Sequence, residues 1–326
     1  MLSHGGGGEE MNSLINETIF KIFDNEILRY SNDSAILNLN GKTAFSSDSF
    51  VVTPIFFSGG DIGKIAACGT INDLAMVAAS AKYLSCSLII EEGLEISELE
   101  AVLSSLAKVC KEADVKVVCG DTKVVPKGKC DKIFINTAGI GEIVCEGVEL
   151  KNLKPGAKIL LSGDIGRHGG VVLANREEFE LSSNLTSDCK SLKGVVLKLL
   201  KEGVKPQCMR DATRGGLSAV LNEWAKFTRS DILVFEEKIR VSDEVTGICE
   251  LFGFEPYELA NEGTFVLAVD EAQADKALEI LREFDENATI IGEVLSEQNS
   301  RVVIENAYKS RRFLEPPKGE LLPRIC

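Results

Sequence analysis

Apolar residues recur along this chain at two spacings, one helical and one alternating. Leu14, Ile15, Ile19, Ile22, Phe23 and Ile27 fall at helical intervals and predict a helix over Met11–Leu28. Short β-type segments follow around Ala35–Leu39 and Phe50–Ile55. Ile62–Ala79 is mostly apolar, the pattern of a buried helix, and Tyr83–Ile90 reads as a strand. Leu94–Ala113 is amphipathic and helical, while Lys116–Cys119 and Ile133–Gly139 read as strands between polar loops. Helices and strands mixed without strict alternation predict an α+β fold.

A second unit opens near Leu153, where LKPGAKILLSGDIG sets Pro155 and Gly156 before a strand and glycines after it. Helices near Lys190–Glu202 and Gly216–Phe227 follow, with strands near Ile232–Phe235 and Phe265–Val269. A helix over Glu271–Phe284 and a strand near Thr289–Val294 complete it. From about Ala307 the composition turns polar, with Pro316, Pro317, Gly319 and Pro323, and predicts a mobile tail. The expected organisation is therefore two α/β domains, 1–152 and 153–306, and a tail over 307–326.

A length of 326 residues agrees with two cores rather than one. Hydrophobic residues at 44% and charged residues at 26% are ordinary for a soluble chain. No apolar run approaches the ~20 residues that span a bilayer. The opening MLSHGGGGEEMN has neither a basic start nor an apolar block, so no secretory signal is read and a cytoplasmic, membrane-free location is expected. The formal charge of −14 argues against a nucleic-acid surface.

Ten cysteines are scattered with no CxxC pair. In a reducing cytosol Cys68, Cys86, Cys110, Cys119, Cys130, Cys145, Cys189, Cys208 and Cys249 are expected to be buried small hydrophobes. Cys326 differs, because packing does not explain a cysteine at the end of a polar tail.

Asp33, Asp48, Asp73 and Asp121 sit beside small or turn-forming residues, in SNDSAIL, FSSDSF, GTINDLA and CGDTK. Each alone serves equally as a turn or helix cap. Four in one domain suit a magnesium–phosphate site, since hard cations take carboxylate, phosphate and water oxygens. No Walker A motif and no GxGxxG is present. Gly5–Gly8 is a candidate phosphate wrap or a bare leader. In 210-RDATRGG-216, Asp211 and Arg214 precede two glycines at a helix start, which suits an anion or a structural Asp–Arg turn. With two histidines, His4 and His168, acid–base chemistry falls to Lys, Asp or Glu. Lys123, after the GDT aspartate, and Glu262, in ANEGTF, are candidates that also read as plain surface charges.

Taken in order, SHGGGG, SSDSF, FFSGGDIGK, GTINDLA, CGDTKVV, INTAG, RDATRGG, NEG and the final PRIC resemble the HypE family of hydrogenase maturation proteins, the carbamoyl dehydratases. The match covers essentially the whole chain. That family shares a superfamily with aminoimidazole ribonucleotide synthetase, selenophosphate synthetase and thiamine monophosphate kinase. The aspartates and the RDATRGG turn are common to all of these, and PRIC singles out HypE. The resemblance implies a PurM-like fold whose N-terminal, ATP-binding domain pairs its sheet with a second copy in a homodimer. It implies ATP and Mg²⁺ between the domains. Asp48, Asp73, Asp121 and Asp33 would serve the metal, and Lys64, Asn72, Thr122, Asp211 and Arg214 the nucleotide phosphates.

The reaction implied is dehydration of a carbamoyl group on the Cys326 sulfur, giving an S-cyanide. HypF would load the carbamoyl group, ATP would activate its oxygen, and Lys123 and Glu262 would polarise it and remove protons. A HypC–HypD complex would accept the cyanide for the iron of a [NiFe]-hydrogenase. Two rivals remain at this level. A selenophosphate synthetase wants a reactive Cys near the N-terminus, and none precedes Cys68. A non-enzymatic metal carrier with a terminal thiol would bind iron without ATP turnover.

Overall fold

The computed structural model describes residues 4, 9–30, 34–176, 184–318 and 325–326. Asp33, Gly5–Gly8 and residues 319–324 of the expected tail lie outside them. Two sheets organise the chain. The first contains β1 (Thr43–Phe50), β4 (Ala79–Glu91), β5 (Lys116–Val125) and β6 (Ile133–Ile143) in the order β1-β6-β4-β5. All its pairs are antiparallel except β4 with β5. A short hairpin, β2 (Phe56–Phe57) with β3 (Gly60–Asp61), lies apart from it.

The second sheet has seven strands, β7 (Lys158–Leu161), β8 (Cys208–Asp211), β9 (Ile232–Phe235), β10 (Phe265–Val269), β11 (Thr289–Val294), β12 (Val302–Glu305) and β13 (Arg311–Phe313). They run in the order β13-β12-β9-β11-β7-β10-β8, and β9 with β12 is its parallel pair.

In chain order the helices are α1, which begins at Glu9–Leu14, widens through a π turn at Ile15–Ile19 and ends with Phe20–Phe23, then α2 (Ile62–Met76) and α3 (Ile96–Glu112). After them come α4 (Arg167–Ala174), α5 (Lys193–Lys201), α6 (Gly216–Thr228), α7 (Asp243–Phe252) and α8 (Glu271–Arg282). Successive strand residues face opposite sides, and β10 shows both sides covered. Phe265, Leu267 and Val269 pack under α5 and α8, while Val266 and Ala268 pack under α6 around Trp224. The first sheet is covered on one face by α2 and α3. Its other face carries Phe45, 71% exposed, and Ile89, 44% exposed.

Helix α2 is the centre of the molecule, and all its residues but Lys64 and Asp73 are buried. A helix apolar on every side needs neighbours on every side. It has the first sheet and α3 on one flank, and α4 and α7 share its core through Val171, Val172, Val245 and Ile248. Its C-terminal residues Ala75 and Met76 reach the core under α5 and α8. Asp61 caps it, accepting from Lys64 N at 2.9 Å. Lys193 ties the domains as well, its Nζ donating to Ala81 O at 2.8 Å and Ala113 O at 2.6 Å.

Several expectations move. No strand forms at Ala35–Leu39, and the strand expected at Phe50–Ile55 lies earlier, at Thr43–Phe50, since Pro54 has no N–H to extend the ladder. The first helix stops at Phe23 rather than Leu28. Beyond it Asn25 turns the chain, accepting from Ile27 N and Leu28 N and donating to Val117 O of β5 at 2.8 Å. A bulge in β5 opposite Leu84 and Ser85 turns Cys119 outward, so Cys119 is exposed and Cys145 half-buried instead of buried. The polar segment from residue 307 also begins as ordered structure. There β13 pairs with β12, and Leu314 is buried with its carbonyl accepting from Asn222 Nδ2 at 3.0 Å. Among the described residues no helix is long and apolar enough to cross a membrane.

The α2–α3 contact is close enough to test. A Cβ on Gly63 would lie 2.0 Å from the Val102 carbonyl oxygen, which is backbone and does not yield. Gly63→Ala should lower stability by about 2 kcal/mol, the middle of the range for overpacking. The measurement is a denaturant midpoint at unchanged slope. An unshifted midpoint would mean that the two helices separate freely.

Candidate active site

Asp48, Asp73, Asp211, Arg214, Glu262 and Cys326 line one cavity of about 450 Å³ between the two domains. Residues two apart on a strand share a face, so β1 turns both Ser46 and Asp48 toward α2. There Ser46 Oγ donates to Asp73 Oδ2 at 2.5 Å. Gly69, one turn earlier on α2, makes this approach possible, since a Cβ would sit 2.9 Å from Phe50 Cζ. Burial, and then the neighbouring Asp73, push the Asp48 carboxyl up to about 6, with Arg214 pulling the other way.

Asp211 ends β8 on the opposite wall. Burial first, and then Asp73, raise its carboxyl to about 7. Past Arg214 the chain turns at Gly215 and Gly216, with φ of 74° and 58°, a region that favours glycine. Gly216 also passes the carbonyls of Tyr257 and Leu259 so closely that a Cβ would fall 2.5 Å from each oxygen. RDATRGG is therefore a strand end, a turn and the start of α6.

The Asn-Glu-Gly run aims Glu262. Asn261 is fully buried, donating from Nδ2 to Ala212 O at 2.8 Å and accepting at Oδ1 from Gly166 N at 2.6 Å. The Asp188 carboxylate accepts from Glu262 N at 3.1 Å and Gly263 N at 2.8 Å. A Cβ on Gly263 would meet the Asp188 carbonyl oxygen at 1.9 Å, so the third position admits glycine alone. Held on both sides, the Glu262 carboxyl is buried and shifted well above the ordinary carboxylate range. Burial is the main cause, followed by Cys189, Asp211, Asp188 and Asp48. Its surroundings therefore favour the protonated form.

Cys326 faces it. Burial, and then Glu262, push its thiol far up, with Arg214 opposing. Ile325 is buried beside it. The Cys326 main-chain oxygen accepts from Val51 N at 3.2 Å, and the Ile325 carbonyl accepts from His168 Nε2 at 2.8 Å.

Other expected site residues lie elsewhere. Asn72 uses its amide internally, donating to Lys190 O at 3.1 Å and accepting from Leu192 N at 2.7 Å, so it joins α2 to the second domain rather than facing the cavity. Lys64 is at the opposite end of α2 and donates to Gly59 O at 2.7 Å. Thr122 is buried in β5. Asp121 and Lys123 are exposed on that edge strand, paired at 2.8 Å, and the ammonium holds the Asp121 carboxyl below its usual range. None of these five lines the cavity. Asp188 was not singled out in the sequence, and His168 was named there only to set histidine chemistry aside. The first sits in a polar TSD run that resembles linker, the second in a glycine-rich stretch that reads as loop.

Among the described residues, no three His, Cys, Asp or Glu side chains form a ready metal cage. The donor chemistry still fits Mg²⁺, which keeps several waters and takes one or two carboxylates with substrate phosphates. Asp48, Asp73 and Asp211 are oxygen donors whose crowding a divalent cation would relieve.

Two family models match the chain, the AIR synthase related protein N-terminal domain over residues 31–143 and the C-terminal domain over residues 154–305. It is 40% identical to the carbamoyl dehydratase HypE of Rhizobium leguminosarum bv. viciae, over 100% of this chain and 94% of that one. The structure of a hydrogenase maturation protein HypE in complex with ATP superposes with a TM-score of 0.96 at 42% identity, covering 100% of this chain and 99% of the other. A HypE–HypF complex matches at 0.80 with 44% identity, over 94% and 100%.

The raised carboxyls give the metal-free protein a definite pH dependence. Their pKa values lie above those of the unfolded chain, so the folded state holds protons that the unfolded state has released. Stability should therefore fall as pH rises from about 4 to about 7. Melting temperatures should follow that slope, Asp211→Asn should flatten it, and Mg²⁺ should stabilise more at the alkaline end. A flat wild-type profile would contradict the crowding.

Proposed function

The chain belongs to the HypE family of carbamoyl dehydratases within the AIR synthase related proteins, and on that premise we propose that it uses ATP to dehydrate a carbamoyl group carried on its own Cys326. One observation carries the reading. The Cys326 thiol and the buried Glu262 carboxyl share a cavity with three aspartates suited to a nucleotide–metal pair.

Loading requires the tail to be out. A thiol raised as far as that of docked Cys326 is not a nucleophile, because the thiolate is the reactive form. HypF, which forms a complex with a HypE of known structure, would transfer the carbamoyl group to the undocked sulfur. Docking then carries the S-carboxamide to Glu262. An amide does not lose hydroxide in neutral water, but it loses phosphate once its oxygen accepts the ATP γ-phosphoryl group. Arg214 and the RDATRGG turn would hold the transferring phosphoryl group. Mg²⁺ at Asp48, Asp73 and Asp211 would neutralise charge on the nucleotide phosphates. Glu262, ionised once that charge balances its neighbours, takes one nitrogen proton as phosphate leaves, and the other departs on the phosphate. The nitrile remains on sulfur and the amide oxygen departs in phosphate. Ile325 is buried beside the sulfur, and the reaction would need water kept from the phosphorylated amide while it exists.

The placement of β5 supports a homodimer. β1 and β5 are the two edges of the first sheet, and its outer face presents Phe45 and Ile89. Asp121 pairs with Ser87, Ser87 with Asn136, and Asn136 with Ser49, so Asp121 lies on the cross-sheet row next to Asp48. Pairing of these sheets across a two-fold axis would bring the partner's Asp121, Thr122 and Lys123 to this cavity and restore their expected roles. HypC–HypD would take the cyanide once the tail leaves. All ten cysteines are free thiols, in keeping with a reducing cytoplasm.

Incubation with ATP, carbamoyl phosphate and HypF, followed by mass spectrometry of the C-terminal peptide, tests the proposal. Cys326 should gain a carbamoyl group and then lose one water as ATP is consumed. Glu262→Gln should leave loading intact and slow the water loss by about a hundredfold or more. Cys326→Ala should show neither change. ATP turnover beside an unmodified Cys326 would sink the reading.

A further inference from the structure

His168 is completely buried, and none of the steps above uses it. Its ring is held in one orientation. The Phe57 ring meets it edge-on with centroids 5.3 Å apart. Nε2 lies 2.8 Å from the Ile325 carbonyl oxygen, and Nδ1 lies 2.8 Å from Ser187 Oγ. A carbonyl accepts and does not donate, so Nε2 carries the proton in this arrangement. Neutral imidazole then leaves Nδ1 to accept from the Ser187 hydroxyl, and Ser187 Oγ in turn accepts from Cys189 N at 3.1 Å. Burial disfavours the charged ring and supports the same assignment. The donors form a directed chain, from the backbone amide of Cys189 through Ser187 and His168 to the tail.

The tail's last peptide is gripped from both domains. His168, on α4, holds the Ile325 carbonyl, and Val51, just past β1, donates to the Cys326 oxygen. The Ile325 side chain enters the core shared with Val171, Leu185, Val245 and Ile248. Gly169, the residue after His168, borders the same seat: a Cβ there would touch Ile325 Cδ1 at an ordinary 3.5 Å, and its close approaches are to Leu259 Cβ and Ala260 N, at 3.1 Å each. One short helix start thus supplies both the polar and the apolar part of the seat.

We propose that His168 is a positioning residue for the tail reaction, a neutral imidazole latch that fixes the Ile325 carbonyl and so sets the Cys326 sulfur against Glu262. The idea rests on the dehydratase reading for its consequence, though not for its geometry. A neutral hydrogen bond suits a segment that must dock and leave repeatedly, since a buried charge pair would leave one charge stranded at each release. A displacement of about 1 Å at the reacting carbon is enough to lose on the order of a hundredfold in rate, so a latch beside the sulfur matters for chemistry as well as for docking.

The full-length protein contains its own reference thiol. Cys119 is exposed on β5, and Cys326 is half-buried in the seat. Brief alkylation with iodoacetamide, read by mass spectrometry as the Cys326-to-Cys119 labelling ratio, reports docking without any carbamoyl chemistry. His168→Leu should raise that ratio by about fivefold, the loss of one hydrogen bond to the tail. His168→Gln, which keeps an N–H donor, should stay near wild type. Protection of buried Cys208 shows that each variant is folded. Should His168→Leu not fold, Ser187→Ala and Ile325→Ala decide, and both should raise the ratio. In the loaded protein, Ile325→Ala should slow water loss from the carbamoyl adduct without slowing its formation by HypF. A wild-type ratio in folded His168→Leu, in Ser187→Ala together with Ile325→Ala, or a Gln variant that behaves like Leu, overturns the latch. A shifted ratio in a protein that never dehydrates the adduct would retain the latch and reject the dehydratase reading.

Discussion

Mutual repulsion among carboxyl groups crowded into one cleft is the constraint to which the rest of this structure answers. Asp48, Asp73, Asp211 and Glu262 share one cavity, and the shifts of Asp48, Asp211 and Glu262 each include a contribution from another member of the set. Such a group is not stable as four free charges in a low-dielectric cleft. Under the proposed mechanism a metal–nucleotide complex would supply balancing positive charge, and its arrival would favour the ionised form of Glu262 at the point where there is an amide to deprotonate.

The scaffold needed for this crowding is unusually buried. Asp73 and Asn72 are neighbours on α2, about 100° apart around the helix, and they face different domains. Asp73 reaches Ser46 of the first sheet, whereas Asn72 binds backbone groups of residues 190–192 in the second. Because α2 is packed on every side, neither residue turns without disturbing both domains. The NEG run works likewise, with Asn261 fastened to Ala212 and Gly166 and Gly263 pressed against Asp188. Rigid elements thus carry the carboxyls, and the tail carries the reacting sulfur.

Much of this was legible in the sequence, and the failures have physical causes. Buried helices and two-sided strands such as Ile62–Met76 and Phe265–Val269 declare themselves by continuous apolar runs. Helix α4 did not, because RHGGVVLA needs its glycines for close packing and so imitates a loop. Motifs named Asp48, Asp73, Asp211, Arg214, Glu262 and Cys326, all of which meet in the cavity. Asn72 lies outside the cavity, and a linear motif does not show which side of a helix faces it. Asp121, Thr122 and Lys123 lie on an edge strand away from the cavity, and under the proposed homodimer their place in a site would depend on a second chain, which a linear motif does not express. Asp188 acts on backbone amides rather than on substrate, a role without a residue-type signature.

The tail has two incompatible electrostatic requirements, and its position resolves them. To accept a carbamoyl group the Cys326 sulfur must be a thiolate, which calls for water or nearby positive charge. To have that group dehydrated it must sit in a dry cleft beside Glu262, where burial and the carboxyls suppress ionisation. No fixed location offers both environments. Docking through Ile325 and two backbone oxygens, rather than through the sulfur itself, lets the same contacts seat the free thiol, the carboxamide and the nitrile. The seat therefore does not discriminate between substrate and product at the tail backbone. Release after reaction must come from what changes around the sulfur, namely loss of the amide's hydrogen bonds and departure of the phosphates that had balanced the aspartates.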